Sequence, residues 1–350
     1  MPALADVVDA VVGGDTHRDL HVLEMVTPAG VTLATTTISN SEIGFADALS
    51  WIVDHAPGPR VVIALEGTRG YGIGLTRALL AAGWVVIESD PPRRGERRRG
   101  KSDPIDAHLA AMHALSQDSS RLPTPRADGD REALRILLGA RAELTATKTR
   151  QINRLRALLL AGQDADRTLA RQALTVDVLT ELTRRRPRHN ETREQAVRRT
   201  ELRRLARSIR RIRDELTENK TQLSALVADL APALLSSVGV GPVSAAQAIV
   251  SWSHPGRCRN DAAYAALAGA SPIPASSGRT IRHRLNRGGD RALNNALHAI
   301  MLTRWRVCPR TQHYIDRRRS QGTTDREIRR LLKRYIAREI YRTLNATITT

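Results

Sequence analysis

The chain has few of the residues that build disulfide, zinc or stacking sites. Only two of its 350 residues are cysteines, Cys258 and Cys308, and their spacing fits neither a zinc site nor a disulfide framework. Aromatic residues make up 3% of the chain, so we do not expect bases to be held on an aromatic platform. No apolar run approaches the roughly 18 residues of a membrane span, and no secretory leader pattern is present. This favours a soluble, cytoplasmic protein with no membrane partner.

Positive charge is abundant, by contrast, and it is unevenly distributed. The formal net charge is +19 at pH 7, from 55 Lys and Arg against 36 Asp and Glu. Residues 1–110 nonetheless have a net charge of −4, so residues 111–350 have a net charge of +23. An acidic first part joined to a basic remainder is typical of a metal-dependent active site attached to nucleic-acid-binding parts. A solvated basic surface is the alternative.

Four carboxylates in the acidic part are spaced as a metal site requires. Asp15 follows an apolar run, Glu66 ends a second one, and Asp103 and Asp106 are one helical turn apart. Carboxylate oxygens are the ligands that Mg²⁺ prefers, and bound divalent ions can stabilise both oxygens of a phosphodiester displacement. Each acid alone has an alternative as a turn residue or a helix cap. Together the four predict Mg²⁺-dependent phosphodiester chemistry.

The order of secondary structure around these acids predicts an α/β fold. Strand and helix patterns follow one another as strands over residues 7–14, 20–27 and 31–38, a helix over 41–55, a strand over 61–65, a helix over 72–82 and a strand over 84–89. This order is that of the RNase H-like fold, which has a mixed sheet. Its catalytic carboxylates lie on the first strand, the fourth strand and a later helix, as the four acids do here.

A basic loop directly precedes the last two acids. Six of the nine residues 93–101 are Arg or Lys. Such a loop can hold a phosphate backbone against bound metal ions, and an ordinary exposed loop is the alternative. The residues expected to contact nucleic acid are Arg97, Arg98, Arg99 and Lys101.

The middle of the chain, residues 131–230, has an almost wholly helical pattern. Apolar residues keep a 3,4 spacing between residues 202 and 230, with Asn219 at a core position, which predicts a long helical coiled-coil arm. Such a stripe can pack within one chain as a helical hairpin or between subunits, and the pattern leaves both open. Residues 163–200 fit either an exposed basic linker or part of the arm.

The C-terminal part is predicted to be mostly helical, with two loops suited to phosphate. Gly239 and Gly241 permit a tight hairpin that resembles half of a helix-hairpin-helix, whose backbone N–H groups can bind phosphate; a plain turn is the alternative. A Ser-Ser-Gly loop tip and a basic hairpin-like stretch then lead to a helix opening at Asp290, and a basic amphipathic helix covers residues 324–344. The expected phosphate contacts of the basic stretch are Arg279, Arg282, Arg284 and Arg287.

Taken together, these motifs resemble those of the DEDD-type insertion-sequence transposases. The four acids agree with the acidic tetrad of that family in identity, order and spacing, and the Lys-Ser-Asp-x-x-Asp-Ala string at residues 101–107 is specific. The Gly-x-Gly-Pro segment, the Gly-Ala-Ser-Pro segment at 269–272 and Ser277-Gly278 are similar to the family's second domain. The resemblance covers nearly the whole chain, apart from residues around 160–200.

The resemblance implies a RuvC-like catalytic domain over residues 1–125, a helical arm over 126–231 and a C-terminal transposase domain over 232–350. It also implies that Ser277 is the nucleophile, which forms a covalent phosphoserine link with DNA beside Mg²⁺ at the four acids; the adjacent Ser276 is the alternative. Donor and target double-stranded DNA and a structured noncoding bridge RNA are the implied partners. The chain departs from the family at residues 286–291, which lack its usual Ser-Lys-x-Gly-Asn string.

The distance along the chain between serine and acids predicts a composite site. A serine hydroxyl needs activation, and 171 residues separate Ser277 from Asp106. The two parts can meet within one chain or between neighbouring subunits of a dimer or tetramer. Two other functions are consistent with the motifs: a Holliday-junction-type Mg²⁺-dependent endonuclease that uses water, and a non-enzymatic nucleic-acid-binding protein. The four intact acids argue against the second.

Overall fold

The computed structural model describes residues 2–89, 103–126, 128–274, 283–284, 286 and 288–347, which fall into two compact units. The first, here called the sheet unit, consists of Met1–Glu132, Ser251–Gly289 and Ala337–Thr350. The second, the helical unit, consists of Ala133–Val250 and Asp290–Ile336. None of the described helices combines the length and the apolar character that a membrane span requires.

The sheet unit is built on a five-stranded mixed sheet. Its strands are β1 (Ala10–Thr16), β2 (Leu20–Val26), β3 (Thr32–Ser39), β4 (Val61–Leu65) and β5 (Val85–Glu88), in the spatial order β3-β2-β1-β4-β5. The first three form an antiparallel meander, whereas β4 runs parallel to β1 and β5 runs parallel to β4. Helix α1 (Glu42–His55) precedes β4, α2 (Ile73–Ala81) precedes β5, and α3 (Asp103–Leu115) follows β5. The predicted order of elements is confirmed, and the sheet is compatible with an RNase H-like fold.

Side chains alternate along the strands, so the sheet has one apolar core on each face. On one face, Val12 and Ile63 belong to a core that includes Ile52 of α1 and Leu79 of α2. On the other face, the strands pack against Ala111 and Ala114 of α3 through Val11, Val26, Val62, Ala64 and Ile87. Both faces of the central strands are therefore covered, which explains their nearly continuous apolar runs.

The first strand lies further along the chain than the sequence predicts, over Ala10–Thr16 rather than residues 7–14. The preceding residues Leu4–Asp6 form a 3₁₀ turn. Asp9 then accepts a hydrogen bond from the backbone N–H of Arg60 at 2.9 Å and pairs with its guanidinium, and the strand begins at the next residue. The prediction that Asp15 follows the strand is therefore corrected, because Asp15 lies inside it.

After α3, the described chain continues with six helices up to residue 252. They are α4 (Gly129–Leu160), α5 (Asp164–Arg171), α6 (Val176–Arg184), α7 (Arg193–Leu230), α8 (Pro232–Leu235) and α9 (Pro242–Trp252). The ambiguous residues 163–200 thus comprise α5, α6, the connection that holds Pro187 and the start of α7.

The apolar stripe of α7 is buried within its own chain. Leu202 and Leu205 belong to one core with Leu159 of α4 and Leu182 of α6. Further along α7, the side-chain amide of Asn219 donates to the carbonyl oxygen of Leu137 on α4 at 2.9 Å. The guanidinium of Arg141 on α4 donates in return to the carbonyl oxygen of Leu216 on α7 at 3.0 Å. Among the alternatives left open by the sequence, these contacts are those of an intrachain hairpin.

The remaining elements are α10 (Asp261–Leu267), β6 (Ile273–Pro274), β7 (His283–Arg284), α11 (Arg291–Val307), α12 (Pro309–Ser320) and α13 (Asp325–Thr347). Asp290 caps α11, since its carboxylate accepts from the N–H groups of Ala292 and Leu293 at 2.9 Å each. The predicted C-terminal amphipathic helix is confirmed as α13. On this helix Ile336 is buried, whereas Tyr335 beside it is 51% exposed.

Candidate active site and nucleic-acid interface

Asp15 and Glu66 stand side by side near the carboxyl ends of two parallel strands. Strands β1 and β4 pair as far as Gly14 and Leu65, and the N–H of Glu66 then donates to the carbonyl oxygen of Gly14 at 3.0 Å. The hydroxyl of Thr16 donates to the carbonyl oxygen of Glu66 at 2.9 Å, which ties the two strand ends together. The two acids are buried, with 7% and 9% of their surface exposed.

Helix α3 covers the face of the sheet to which both acids belong. Because side chains alternate along a strand, Asp15 projects to the same face as Val11, and Glu66 projects to the same face as Ala64. Val11 and Ala64 lie in the core on the α3 side. A Cβ atom at Gly13 would come within 2.0 Å of the carbonyl oxygen of Ala107, so glycine is needed for α3 to approach β1 this closely. Asp106, the residue before Ala107, is 3% exposed. It is therefore buried on the same side of the sheet as Asp15 and Glu66.

Asp103 lies in the first turn of α3, three residues before Asp106. One helical turn therefore separates the two acids, although the side chain of Asp103 lies outside the described residues. Across the described side chains, no three acidic, histidine or cysteine residues converge closely enough to hold a metal ion as they stand. Asp15, Glu66 and Asp106 are nonetheless of the residue type that hard divalent cations take as ligands, because such ions bind carboxylate oxygens.

His17 contacts the first of these acids. Its Nε2 lies 3.1 Å from Oδ2 of Asp15, and 47% of its side chain is exposed. The imidazole can therefore fix the orientation of the Asp15 carboxylate while it remains accessible from solvent.

Glu24 is a further buried carboxylate on this face, which the sequence analysis did not single out. It pairs with Gly13 across β1 and β2, so the two residues project to the same side, and it is 6% exposed. Its Oε1 lies 3.0 Å from Nδ1 of His108 on α3 and accepts a hydrogen bond from the hydroxyl of Thr32 at 2.6 Å. The available signal was an acid inside an otherwise apolar strand, where burial of a charge is unfavourable without a partner.

The described residues do not include most of the predicted basic contacts or the serine candidates. Outside them lie Arg97, Arg98, Arg99, Lys101, Ser276, Ser277, Arg279, Arg282 and Arg287. The two strands that flank the serine loop in the sequence are described: β6 and β7 pair antiparallel, with Ile273 opposite Arg284. Only the backbone of Arg284 is described. Both strands belong to the sheet unit, as do the acids.

The glycine hairpin between α8 and α9 lies in the helical unit. Gly239 has a φ of +81°, and a Cβ there would come within 3.2 Å of the carbonyl oxygen of Ile300. Arg304 on α11 fixes the turn, because its Nε donates to the carbonyl oxygen of Val238 at 2.7 Å. Gly241 donates its N–H to the hydroxyl of Ser244 at 3.1 Å, and a Cβ at this position would meet nothing within 4 Å.

An open cleft of about 1120 Å³ adjoins this hairpin. Its lining comes from α4, α7, α9 and α11, with Gly239 and Gly241 at one side and the cations Arg141 and Lys220 among the lining residues. The positive charges of Arg141 and Lys220 make this cleft suitable for an anionic backbone.

Comparison with protein families gives two matches that follow one another along the chain. The transposase family model DEDD_Tnp_IS110 matches residues 12–162, which include Asp15, Glu66, Asp103 and Asp106. The model of the transposase IS116/IS110/IS902 family matches residues 231–316, which include the glycine hairpin and the serine loop. A comparison with curated proteins finds no match.

Proposed function

Because the chain belongs to the IS116/IS110/IS902 family and is a DEDD-type insertion-sequence transposase, we propose that it cuts and rejoins DNA through a covalent phosphoserine intermediate. DNA is the substrate that this family implies, and a divalent metal is its typical cofactor. The proposal adds Mg²⁺ as the metal and Ser277 as the nucleophile, with Ser276 as the neighbouring alternative. It also takes residues 1–125 as the catalytic domain, 126–231 as a helical arm and 232–350 as the transposase domain.

The observation that carries the proposal is the burial of Asp15, Glu66 and Asp106 on one side of the sheet. Burying carboxylates is unfavourable, and a divalent cation held by them, with Asp103 as a fourth ligand, would supply Lewis-acid stabilisation of the phosphodiester. Asp15 and Glu66 would bind from adjacent strand ends, and His17 would keep the Asp15 carboxylate oriented through its 3.1 Å contact.

The chemistry proposed for Ser277 balances without an external energy source. Its Oγ forms a bond to phosphorus, the bond between phosphorus and a DNA oxygen breaks, and the serine proton ends on the released DNA hydroxyl. Attack by a hydroxyl of another DNA end reverses the step and frees the serine. Pairing of β6 with β7 inside the sheet unit supports a site assembled within one chain. Exchange between two duplexes needs two such sites, which supports self-association as a dimer or tetramer.

The helical unit is proposed to hold nucleic acid. The turn at Gly239 and Gly241, the cleft beside it and the basic residues Arg141 and Lys220 support a phosphate-binding role that resembles a helix-hairpin-helix. The remaining proposed contacts are Arg97, Arg98, Arg99, Lys101, Arg279, Arg282, Arg284 and Arg287. A structured noncoding bridge RNA as guide rests on the family resemblance alone.

A test of the serine step is the trapping of a covalent adduct. The protein is incubated with Mg²⁺ and labelled DNA that carries an end of the element, and denaturing electrophoresis then separates protein-linked DNA from free DNA. We expect the adduct with the wild type and with Ser276→Ala, and its loss with Ser277→Ala. Adduct formation by Ser277→Ala and its loss in Ser276→Ala would move the role to Ser276.

A second candidate is a nuclease that uses the same acids with water as the nucleophile. The buried carboxylates favour it as much as they favour the serine mechanism, because they would bind the same metal in both. Strand cutting by Ser277→Ala at the wild-type rate, with no adduct in any variant, would establish this candidate and contradict the phosphoserine proposal.

A further inference from the structure

An arginine cluster surrounds Glu88 at the end of β5 in the sheet unit. Glu88 is 8% exposed, and the Nε of Arg126 donates to its Oε2 at 2.7 Å. Arg69 approaches the other oxygen, with its Nε 3.5 Å from Oε1. Only 10% of the Arg126 side chain is exposed, against 43% for Arg69. One carboxylate thus orients one buried and one accessible guanidinium.

Two further arginines extend this cluster. Arg131, in the first turn of α4, donates its Nη1 to the carbonyl oxygen of Arg126 at 2.9 Å. The pKa of Arg131 falls to about 10 because of burial and of repulsion by Arg126, Arg69 and Arg257. Arg257 is itself exposed and donates to the carbonyl oxygen of Ser251 at 2.9 Å. Four guanidiniums from three separate segments of the chain therefore lie within electrostatic reach of one another.

The local potential of the cluster is positive. The charge of Glu132 raises the pKa of Arg131 and that of Glu88 raises the pKa of the neighbouring His254, yet the pKa of His254 still falls to about 4. Burial is the main cause, and repulsion by Arg126, Arg257 and Arg131 adds to it. His254 is consequently neutral at pH 7 and adds no positive charge to the four arginines. A cluster of guanidiniums of this kind is suited to contact with an anion such as a phosphate.

The arginine cluster lies at the same edge of the sheet as the carboxylates. Glu88 pairs with Leu65, the residue before Glu66, and the N–H of Ser89 donates to the carbonyl oxygen of Leu65 at 2.9 Å. Arg69 follows Glu66 by three residues. Glu88 has the alternation of Val86, which lies in the core on the α1 and α2 side, so Glu88 and the acids project to opposite faces at this edge. A DNA strand that crosses the edge of the sheet would place one phosphate at the acids and later phosphates on the side of the arginines, since phosphates recur every ~3.4 Å along the axis of a DNA strand.

We propose that Arg69, Arg126, Arg131 and Arg257 bind the backbone phosphates of the DNA strand next to the phosphodiester that is cut. Guanidiniums suit this role because they offer paired N–H donors to phosphate oxygens. Glu88 acts as a positioning residue, since it holds Arg126 and Arg69 in place. The proposal rests on the proposed function for the identity of the strand, because cutting occurs on DNA.

A charge-matched pair of double variants tests the cluster. Arg131→Gln/Arg257→Gln removes two of its cations, whereas Arg60→Gln/Arg77→Gln removes two cations of the same unit from exposed ion pairs with Asp9 and Asp128. Binding of a labelled DNA duplex is measured without divalent ions at several salt concentrations. We expect the first variant to bind about tenfold more weakly, with a salt slope shallower by about 1–2 units, because each phosphate that is no longer neutralised reduces the slope by roughly 0.9. The control should keep nearly the wild-type affinity and slope.

A second measurement separates binding from a merely structural role. At matched ionic strength, inorganic pyrophosphate should raise the unfolding temperature of the wild type and of the control more than that of Arg131→Gln/Arg257→Gln. Should the double variant fold poorly, the exposed Arg257→Gln and Arg60→Gln serve as the matched pair. Equal reductions of DNA affinity in cluster and control variants would overturn the inference. Because binding is measured without cutting, this test of the arginine cluster remains valid even if the serine mechanism is wrong.

Discussion

The two units of the protein differ in what they bury. Among the described residues of the sheet unit, five carboxylates are buried: Asp15, Glu24, Glu66, Glu88 and Asp106. In the described part of the helical unit, the buried polar residues are Asn219 and Thr311, and no carboxylate is among them. Buried charge weakens a fold unless it is paired, so natural proteins retain it chiefly where function needs it. The comparison favours the edge of the sheet as the place of the proposed chemistry.

The largest effect is expected where a buried acid of the sheet edge is made neutral. Asp15→Asn should lower the rate of strand cutting about a thousandfold, because roughly 4 kcal/mol of transition-state stabilisation depends on the bound metal. Its unfolding temperature should stay equal or rise, because one of several neighbouring negative charges is removed. A fall in stability together with retained cutting would break the contrast between the units. Single-turnover cleavage and thermal unfolding, measured on the same preparation, give both values.

In the helical unit, a core substitution should have the opposite outcome. Leu223→Ala on α7 should lower the free energy of unfolding by about 3–4 kcal/mol, because Leu223 is fully buried and leaves a cavity. Val197→Ala on the same helix is the control, since Val197 is 65% exposed and its truncation should change stability by less than about 0.5 kcal/mol. Denaturant unfolding measures both. Equal stabilities for the two variants would contradict the intrachain packing of α7.

Glu88 is a buried acid like Asp15, but its replacement is expected to lower stability, as that of Leu223 does. Burial opposes its ionisation, but the hydrogen bond and charge of Arg126 and the charge of Arg69 outweigh burial and lower its pKa. Stability from the ionised pair is therefore complete above the unfolded pKa of about 4.5 and is lost as the pH falls through the lower folded pKa. Glu88→Gln should reduce stability at pH 7 by about 3 kcal/mol, and the difference should shrink in acid. If the stability difference between the wild type and Glu88→Gln were the same at pH 7 and pH 3, the ionisation of Glu88 would not contribute to stability.

The smallest effect on folding is expected at the glycine hairpin of the helical unit. Gly241→Ala should leave stability unchanged, because its Cβ would enter open space, and should weaken DNA binding a few-fold if the hairpin contacts phosphate. Gly239→Ala is the matched change at a φ of +81°, and it should destabilise by about 1 kcal/mol. Binding isotherms and thermal unfolding of the pair distinguish the roles. Unaltered DNA affinity in Gly241→Ala would remove the hairpin from the interface.

The sequence predicts the sheet well because local periodicity controls it. Apolar runs and alternation locate β4 closely and β1 within three residues, and they place Asp15 and Glu66 at or near the ends of these strands. The arginine cluster could not be found in this way, because Arg69, Arg126 and Arg257 become neighbours only through the fold.

The periodicity of the sequence also does not show which surface the apolar stripe of α7 packs against. The spacing on α7 is the same whether it packs within the chain or against another subunit, and the contacts of Asn219 with α4 provide the distinction. Glu24 was missed because its partners His108 and Thr32 come from other elements, which the pattern of β2 does not show. Ser277 as nucleophile, the guide RNA and the metal ligands remain predictions.

Direct measurement of metal binding provides the sharpest test of the sheet edge as a metal-dependent active site. Calorimetric titration of the wild type with Mg²⁺ or Mn²⁺ should show binding that is abolished in Asp15→Asn and Glu66→Gln. Asp54→Asn, a change of the same charge at an exposed position on α1, should bind as the wild type does. Equal metal binding by all four proteins would contradict the account, because the buried acids would then have no ion to hold.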